Sequence, residues 1–308
     1  MLYTLFLVLA VIGSAAFIYF VEYVGSGKVF WWSIPLVFIA AYLAVAITFV
    51  AISCLIAAVL PKDKKKPGKP SKFQKTITYQ ASNYVLKLAR VVPVIKHAER
   101  IECDYFMLVS NHQSLIDPLA ILWAFRDKDI TFVMKKEIMD IPLIGGWLRR
   151  SGFLPIDRSN NRKAVETIKL GVKKIEEGYN SIGVFPEGTR SHGPNLGAFK
   201  HGAFKIAEWS KCPIVVVSID NAYKIKYHSP FKKHKILIEV LRVIPYEEYK
   251  DKNTTELSDL CQKIIQEGIE KRRGQYEWLK AESAEELEQE TIVGSFKKTV
   301  RTDKQNKK

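Results

Sequence analysis

Several large enzyme classes leave no trace in this sequence. There is no Gly-x-Ser-x-Gly elbow, no P-loop and no Gly-x-Gly-x-x-Gly turn, so an acyl-enzyme hydrolase or a nucleotide-driven reaction has no visible apparatus. Cysteine is scarce. The four cysteines (Cys54, Cys103, Cys212, Cys261) form no Cys-x-x-Cys pair, which excludes a zinc site or disulfide framework and fits a reduced compartment. His192 and His201 stand too far apart to suggest a metal pair, and no metal or cofactor is expected. Nucleic acid is the usual partner of a chain with net charge +15, yet neither zinc-finger spacing nor an aromatic RNA-binding signature is present.

Charge itself is missing from the first sixty residues, where Glu22 and Lys28 stand alone. Residues 1–21 and 29–60 carry no charge, and each run matches or exceeds the roughly 20 residues that cross a bilayer. No basic residues precede the first run, as a cleavable signal would require. The expectation is an N-terminal membrane-embedded helical hairpin, with a buried core hairpin as its alternative. Lys62, Lys64, Lys65, Lys66, Lys69, Lys72 and Lys75 follow against a single Asp63. That asymmetry places the C-terminal bulk on the cytoplasmic face of the cell membrane. The stretch reads either as an anchor to anionic head groups or as a solvated linker that only sets topology.

The expected domains are a membrane hairpin at 1–60, a basic linker at 61–75, an α/β domain at 76–280 and a charged tail at 281–308. Beyond the linker, short apolar runs alternate with helical patterns. Strands are expected at 105–110, 130–134, 181–185, 214–219 and 235–243. Helices are expected at 76–87, 115–125, 144–151, 162–177, 203–209 and 255–272. This alternation predicts an α/β fold with a mixed sheet flanked by helices and chemistry collected at strand ends.

Two strand ends carry such chemistry. The first reads Ser110-Asn111-His112-Gln113-Ser114-Leu115-Ile116-Asp117. Positions five apart point about 140° away from each other on one helix. The pair can therefore meet only with His112 in the loop and Asp117 in the first helical turn. A carboxylate that fixes the imidazole tautomer makes a general base. Ser114-x-x-Asp117 is also a capping-box pattern, in which Asp117 merely caps a helix and Asn111 is a turn residue. The second strand end reads Phe185-Pro-Glu-Gly-Thr-Arg190. Gly188 permits a turn that exposes N–H groups to an anion, and Arg190 offers a planar fork for phosphate. Glu187 would bind a substrate hydroxyl or hold the arginine. The plainer reading is a tight turn with a surface ion pair. Lys135, Arg158 and Lys200 stand near expected loops, each a ligand for an anion or a solvated charge.

Taken together, Asn111-His112-x4-Asp117 and Phe185-Pro-Glu-Gly-Thr-Arg190 resemble the glycerolipid acyltransferase family, in particular its bacterial 1-acyl-glycerol-3-phosphate acyltransferases. The resemblance extends over residues 80–250: Lys135-x-Glu137, Pro142-x2-Gly145 and Gly152-x5-Arg158 look like the family's intervening motif, and Phe199-Lys200-x-Gly202 follows in order. One departure is visible. Cys212-Pro-Ile-Val-Val-Val217 lacks the second proline of the family's later block. The resemblance implies transfer of an acyl group from acyl-CoA or acyl-carrier protein to the sn-2 hydroxyl of lysophosphatidic acid, without a covalent enzyme intermediate. His112 would act as base and Asp117 would orient it. Glu187, Gly188 and Thr189 would help bind the acceptor, and Arg190, with Lys135, Arg158 and Lys200, its phosphate. Other implied partners are the phospholipid bilayer and, as alternative acceptors, another lysophospholipid or glycerol 3-phosphate. A lipid-binding protein without activity is the rival from another class. In some family members the N-terminal helical pair sits within one leaflet.

Overall fold

The computed structural model describes residues 2–59, 69–141, 144–228 and 232–280. The first apolar run is helix α1 (Leu2–Phe17), which continues as a π-helical stretch, Ile18–Val24; the second is α2 (Ser33–Val59). The pair forms a hairpin closed by Glu22, whose carboxylate accepts the Phe30 N–H at 2.9 Å and the Ser33 hydroxyl at the start of α2. The acid of the otherwise uncharged segment thus satisfies donors at a helix N-terminus. Thr4–Val24 is long and apolar enough to cross a membrane by length and composition, whereas Ser33–Thr48 is a shorter apolar helix.

Helix α3 (Lys72–Leu88) starts inside the stretch expected to be linker. A capping box explains this: Ser71 accepts the Gln74 N–H, and the Gln74 side chain accepts that of Ser71. Lys75 forms an ion pair with Asp129, and Lys69 donates to the Gly178 carbonyl at 3.1 Å, so part of the basic stretch is bound to the domain. Residues 60–68, with most of the expected linker lysines, and the tail beyond 280 lie outside the described residues.

The remaining elements follow in chain order: β1 (Val91–Lys96), β2 (Met107–Ser110), α4 (Asp117–Ala124), β3 (Ile130–Lys135), α5 (Lys136–Met139), α6 (Ile144–Arg150), β4 (Leu154–Ile156) and α7 (Asn161–Glu176). After these come β5 (Ser181–Val184), α8 (Lys205–Ser210), β6 (Ile214–Asp220), β7 (His234–Ile244), α9 (Tyr246–Tyr249) and α10 (Thr254–Gln275). The described residues form a seven-stranded sheet in the order β1-β7-β6-β2-β5-β3-β4. Only the β6–β7 pairing is antiparallel, which makes the sheet mixed, as expected.

β1 and β4 have no counterpart among the expected strands. Both are edge strands and both contain a proline, Pro93 and Pro155. Proline interrupts a strand pattern in sequence but is tolerated where one side of the ladder is unpaired. The central strands alternate between two cores. Leu108, Val215 and Ile219 face one layer with Leu86 of α3 and Ile121 of α4. Met107, Val109, Ile214 and Val216 face the other, with Ile168 of α7, Ile206 of α8 and Ile265 of α10. Helices on both faces leave the carboxyl ends of β2, β5 and β6 free to carry loops. Those loops hold the site.

One core group is costly. Lys174 on α7 is 1% exposed, and its ammonium meets the Asn180 side-chain oxygen at 3.4 Å. Burial holds its pKa down at about 8, with Glu177 opposing. The folded state favours the neutral amine, so below pH 8 the fold carries the cost of a buried charge. As pH rises towards 10.5 the unfolded chain keeps a proton that the folded chain has released, and stability rises. Lys174→Met is therefore expected to stabilise the protein at pH 7 by about 1–3 kcal/mol, an advantage that fades near pH 10.5. Thermal melts of both proteins in detergent across that range provide the check. A variant that melts below wild type at pH 7 would contradict it.

Candidate active site

β2 ends at Ser110, and the chain is clamped there by Asn111. Its side chain donates to the Ile219 carbonyl and accepts the Ile219 N–H, both at 2.8 Å, so it extends the β2–β6 pairing by one side chain. His112 then turns back on Asp117, the first residue of α4, with Nδ1 and Oδ2 2.8 Å apart. The same oxygen accepts the backbone N–H groups of Gln113 (2.6 Å) and Ser114 (2.7 Å). The oxygen that faces His112 thus also holds two N–H groups of the loop before α4, while the helix N-cap, Ile116, has no side-chain cap. Oδ2 already accepts two N–H donors, so Nδ1 is the protonated nitrogen and Nε2 carries the lone pair. No hydrogen bond engages Nε2 among the described residues, and the His112 side chain is 17% exposed. Burial pushes the Asp117 carboxyl up, against the downward pull of His112 and the two backbone N–H groups.

The second strand end meets the first. Phe185, just past β5, stacks on the His112 ring with centroids 4.3 Å apart and planes at 20°. Glu187 is buried and takes a task different from the expected one. Its two oxygens accept the N–H groups of His112 (2.8 Å) and Gly197 (2.9 Å), so it braces both loops from within. Burial raises its pKa, opposed by those two N–H bonds. Gly188 adopts φ +73°, the left-handed conformation that glycine tolerates. Its carbonyl accepts from Arg158, and a Cβ placed there would lie 3.1 Å from the Lys200 ammonium. Arg158 and Lys200 therefore converge on this turn from separate segments. Burial lowers the Arg158 pKa, with Glu137 opposing.

Arg190 is half-buried and makes no ion pair among the described residues; the next residue, Ser191, donates its N–H to the His112 carbonyl at 2.8 Å. Thr189 is exposed. Lys135 is exposed and pairs with Glu137 at 3.4 Å, so of the expected anion ligands it is the one held by a neighbouring carboxylate. Pro142 of the expected intervening motif lies outside the described residues, while Gly145 is required sterically: a Cβ there would fall 1.8 Å from the Met139 carbonyl oxygen.

Other residues at the site are not singled out by the sequence reading. Lys226 stands on the 3-10 turn Ala222–Tyr227 that follows β6. Burial first, then the nearby charges of Arg190, Lys226 and His112, holds the His192 imidazole below its usual range. The buried Gln113 and Asp220 and the partly exposed Arg273 form a polar chain behind the histidine. Nothing in the spacing of these residues could have joined them, because 53 positions separate Asp220 from Arg273. The arrangement offers a loop imidazole with a free Nε2 beside a cluster of guanidinium and ammonium groups. That is the equipment for deprotonating a hydroxyl carried by an anion.

Residues 93–220 match the family described as Acyltransferase. The chain is 31% identical over 183 residues to the 1-acyl-sn-glycerol-3-phosphate acyltransferase of Saccharomyces cerevisiae, covering 57% of this chain and 60% of that protein. It is 32% identical over 161 residues to the enzyme of that name from Salmonella typhimurium, covering 52% and 65%. The chain thus spans under two thirds of the length of these relatives. The fold resembles the crystal structure of the 1-acyl-sn-glycerophosphate acyltransferase PlsC of Thermotoga maritima, with TM-score 0.57 and 21% identity over 74% of this chain and 90% of that one. The match to the family described as Acyltransferase is therefore confined to residues 93–220, under half of the chain.

Proposed function

We propose that this protein transfers a fatty acyl group from an acyl thioester to the sn-2 hydroxyl of lysophosphatidic acid, giving phosphatidic acid. The observation that carries the reading is His112 Nδ1 fixed on Asp117 at 2.8 Å beside the Gly188 turn, where Arg158 and Lys200 converge. The names of the relatives supply the acceptor. In this mechanism His112 Nε2 takes the hydroxyl proton as the oxygen attacks the thioester carbonyl. The tetrahedral adduct collapses with loss of the C–S bond, and the imidazolium returns its proton to the departing thiolate. Asp117 stabilises the transient imidazolium. The acyl carrier is CoA or a carrier protein.

Phosphate recognition falls to Arg190, Arg158 and Lys200. Arg190→Ala is expected to raise the apparent KM for lysophosphatidic acid about 10–100-fold with a smaller change in kcat, the cost of losing charge-assisted hydrogen bonds. Steady-state kinetics of purified protein in liposomes, with acceptors that have and lack the phosphate, test both statements. Absence of turnover with lysophosphatidic acid and acyl-CoA or acyl-carrier protein would remove the enzymatic reading in favour of lipid binding alone.

The hairpin supplies the membrane context, with the catalytic domain on the cytoplasmic face. Its free depth is limited by contacts to the domain: Tyr42 of α2 hydrogen-bonds Tyr84 of α3, and Phe6 of α1 packs on the same tyrosine at 5.4 Å. From there to the closed end is about 14 Å along α2 and about 27 Å along α1, at 1.5 Å per residue. Both fall short of the roughly 30 Å hydrocarbon core. The geometry favours immersion in one leaflet over a spanning hairpin. Cysteines placed in the 25–32 turn should stay unlabelled by impermeant reagents from either side; labelling from outside would restore the spanning hairpin.

A further inference from the structure

Behind the histidine loop lies a polar chain that the reaction as described leaves without a task. Asp220 closes β6 and is 2% exposed. Its Oδ1 accepts the Asn221 N–H at 2.8 Å, the Gln113 amide at 3.3 Å and Arg273 Nη2 at 2.8 Å, and its Oδ2 accepts Arg273 Nε at 2.8 Å. Gln113 is also buried and accepts the Ala222 N–H at 3.0 Å, while its own N–H donates to Asp117. Asp220 is thereby bound to the residue that follows His112. Arg273, in the last turn of α10, lies 53 positions beyond the end of the family match. Its Nη2 makes a further contact, to the Pro194 carbonyl at 2.7 Å.

Pro194 sits in the loop that carries Arg190, Ser191 and Lys200. That loop is tied to the catalytic side through Ser191 N–H on the His112 carbonyl, Gly197 N–H on Glu187 and Lys200 N–H on the Pro186 carbonyl. Those three ties all lie close to the strand ends. The middle of the loop is held by Arg273 alone among the described hydrogen bonds to Pro194. We infer that Arg273 is a positioning residue. Its single guanidinium spans Asp220, which anchors the histidine loop, and Pro194, which anchors the basic loop, and so sets the distance between the proton acceptor and the anion-binding charges. This rests on the acyl-transfer reading for its kinetic consequence but not for its structural one.

The fork geometry makes the inference testable. Arginine presents fixed parallel donors to the carboxylate and still has an N–H on Nη2 for the carbonyl; lysine neutralises Asp220 as a point charge but has no such fork. Were Arg273 only a counter-ion for a buried aspartate, Arg273→Lys would restore normal behaviour. In full-length protein in detergent, Arg273→Lys is expected to melt close to wild type. Its amides at 191–197 should nevertheless exchange hydrogen about tenfold faster. The KM for lysophosphatidic acid should rise about tenfold while that for the acyl donor stays unchanged. Arg273→Met should show the same split with a lower melting temperature, because it leaves a buried carboxylate without its partner. Normal exchange and normal acceptor KM in the lysine variant would overturn the inference, and so would equal loss towards both substrates in step with the melting temperature. If wild-type protein showed no acyl transfer at all, the proposed function would fall, and the exchange comparison would still decide the role of Arg273.

Discussion

Replacing His112 by alanine should lower kcat by about 10³-fold or more and leave the acceptor KM nearly unchanged. The expectation follows from the division of labour at the site. The histidine backbone is held by Glu187 and Ser191, and those bonds do not involve the imidazole, so the loop survives the truncation. What disappears is the ring that accepts the proton, with its packing on Phe185. Asp117→Asn should lose comparable activity by another route. Oδ2 accepts three N–H donors, and an amide oxygen in its place could accept the same three, but it lacks the negative charge that would stabilise an imidazolium. Its NH₂ would be buried where Oδ1 has no hydrogen-bond partner among the described residues. The two variants separate in stability: the asparagine variant should melt lower, because Asp117 is fully buried, while the alanine variant should melt close to wild type. Retention of more than a tenth of wild-type kcat by His112→Ala would dispose of the general base.

A second large effect is expected far from any charged group. Gly183 lies in the middle of β5, between Leu108 of β2 and Phe132 of β3. A Cβ at this position would fall 2.5 Å from one carbon of the Phe132 ring and 2.7 Å from another. That ring is 1% exposed and stacks on Phe185 at 5.1 Å with planes 4° apart, and Phe185 in turn stacks on His112. The ring cannot yield into a close-packed core without displacing its neighbours. Gly183→Ala should therefore cost about 1–3 kcal/mol of stability and shift the imidazole off its working position. A displacement of about 1 Å at a reacting group is enough for a 10²-fold loss of rate. The double variant Gly183→Ala/Phe132→Leu should recover activity, because the smaller side chain makes room for the methyl. If the single variant is destabilised but keeps its kcat, the stack does not transmit position to His112.

How much of this was legible in the sequence depends on the range of the interactions involved. The long helices α7 and α10 and the central strands β2, β5 and β6 lie within a few residues of where periodicity places them, because their signals come from neighbours along the chain. The start of α3 and the two proline-containing edge strands do not, because their partners are capping side chains and a sheet edge. His112 and Asp117 could be paired by local geometry alone: five residues apart, they meet only across a loop–helix junction. Arg158 and Lys200 were expected as anion ligands only through the family resemblance, and their convergence on Gly188 is created by the packing of separate loops.

Glu187 marks the boundary most clearly. By sequence it was an acid at a strand end, free to take a hydroxyl or an arginine. By structure both its oxygens are occupied by backbone N–H groups from two loops. The sequence by itself determined that this chain has an uncharged helical hairpin, an α/β core and two chemically loaded strand ends, since hydrophobic period, absence of charge and short motifs are all local properties. Only the tertiary structure decided which nitrogen of His112 is free and what Glu187 and Arg273 hold. Apart from the links of His112 to Asp117 and of Glu187 to Gly197, these depend on hydrogen bonds between residues 53 to 79 positions apart, and such partners leave no periodic trace in the chain.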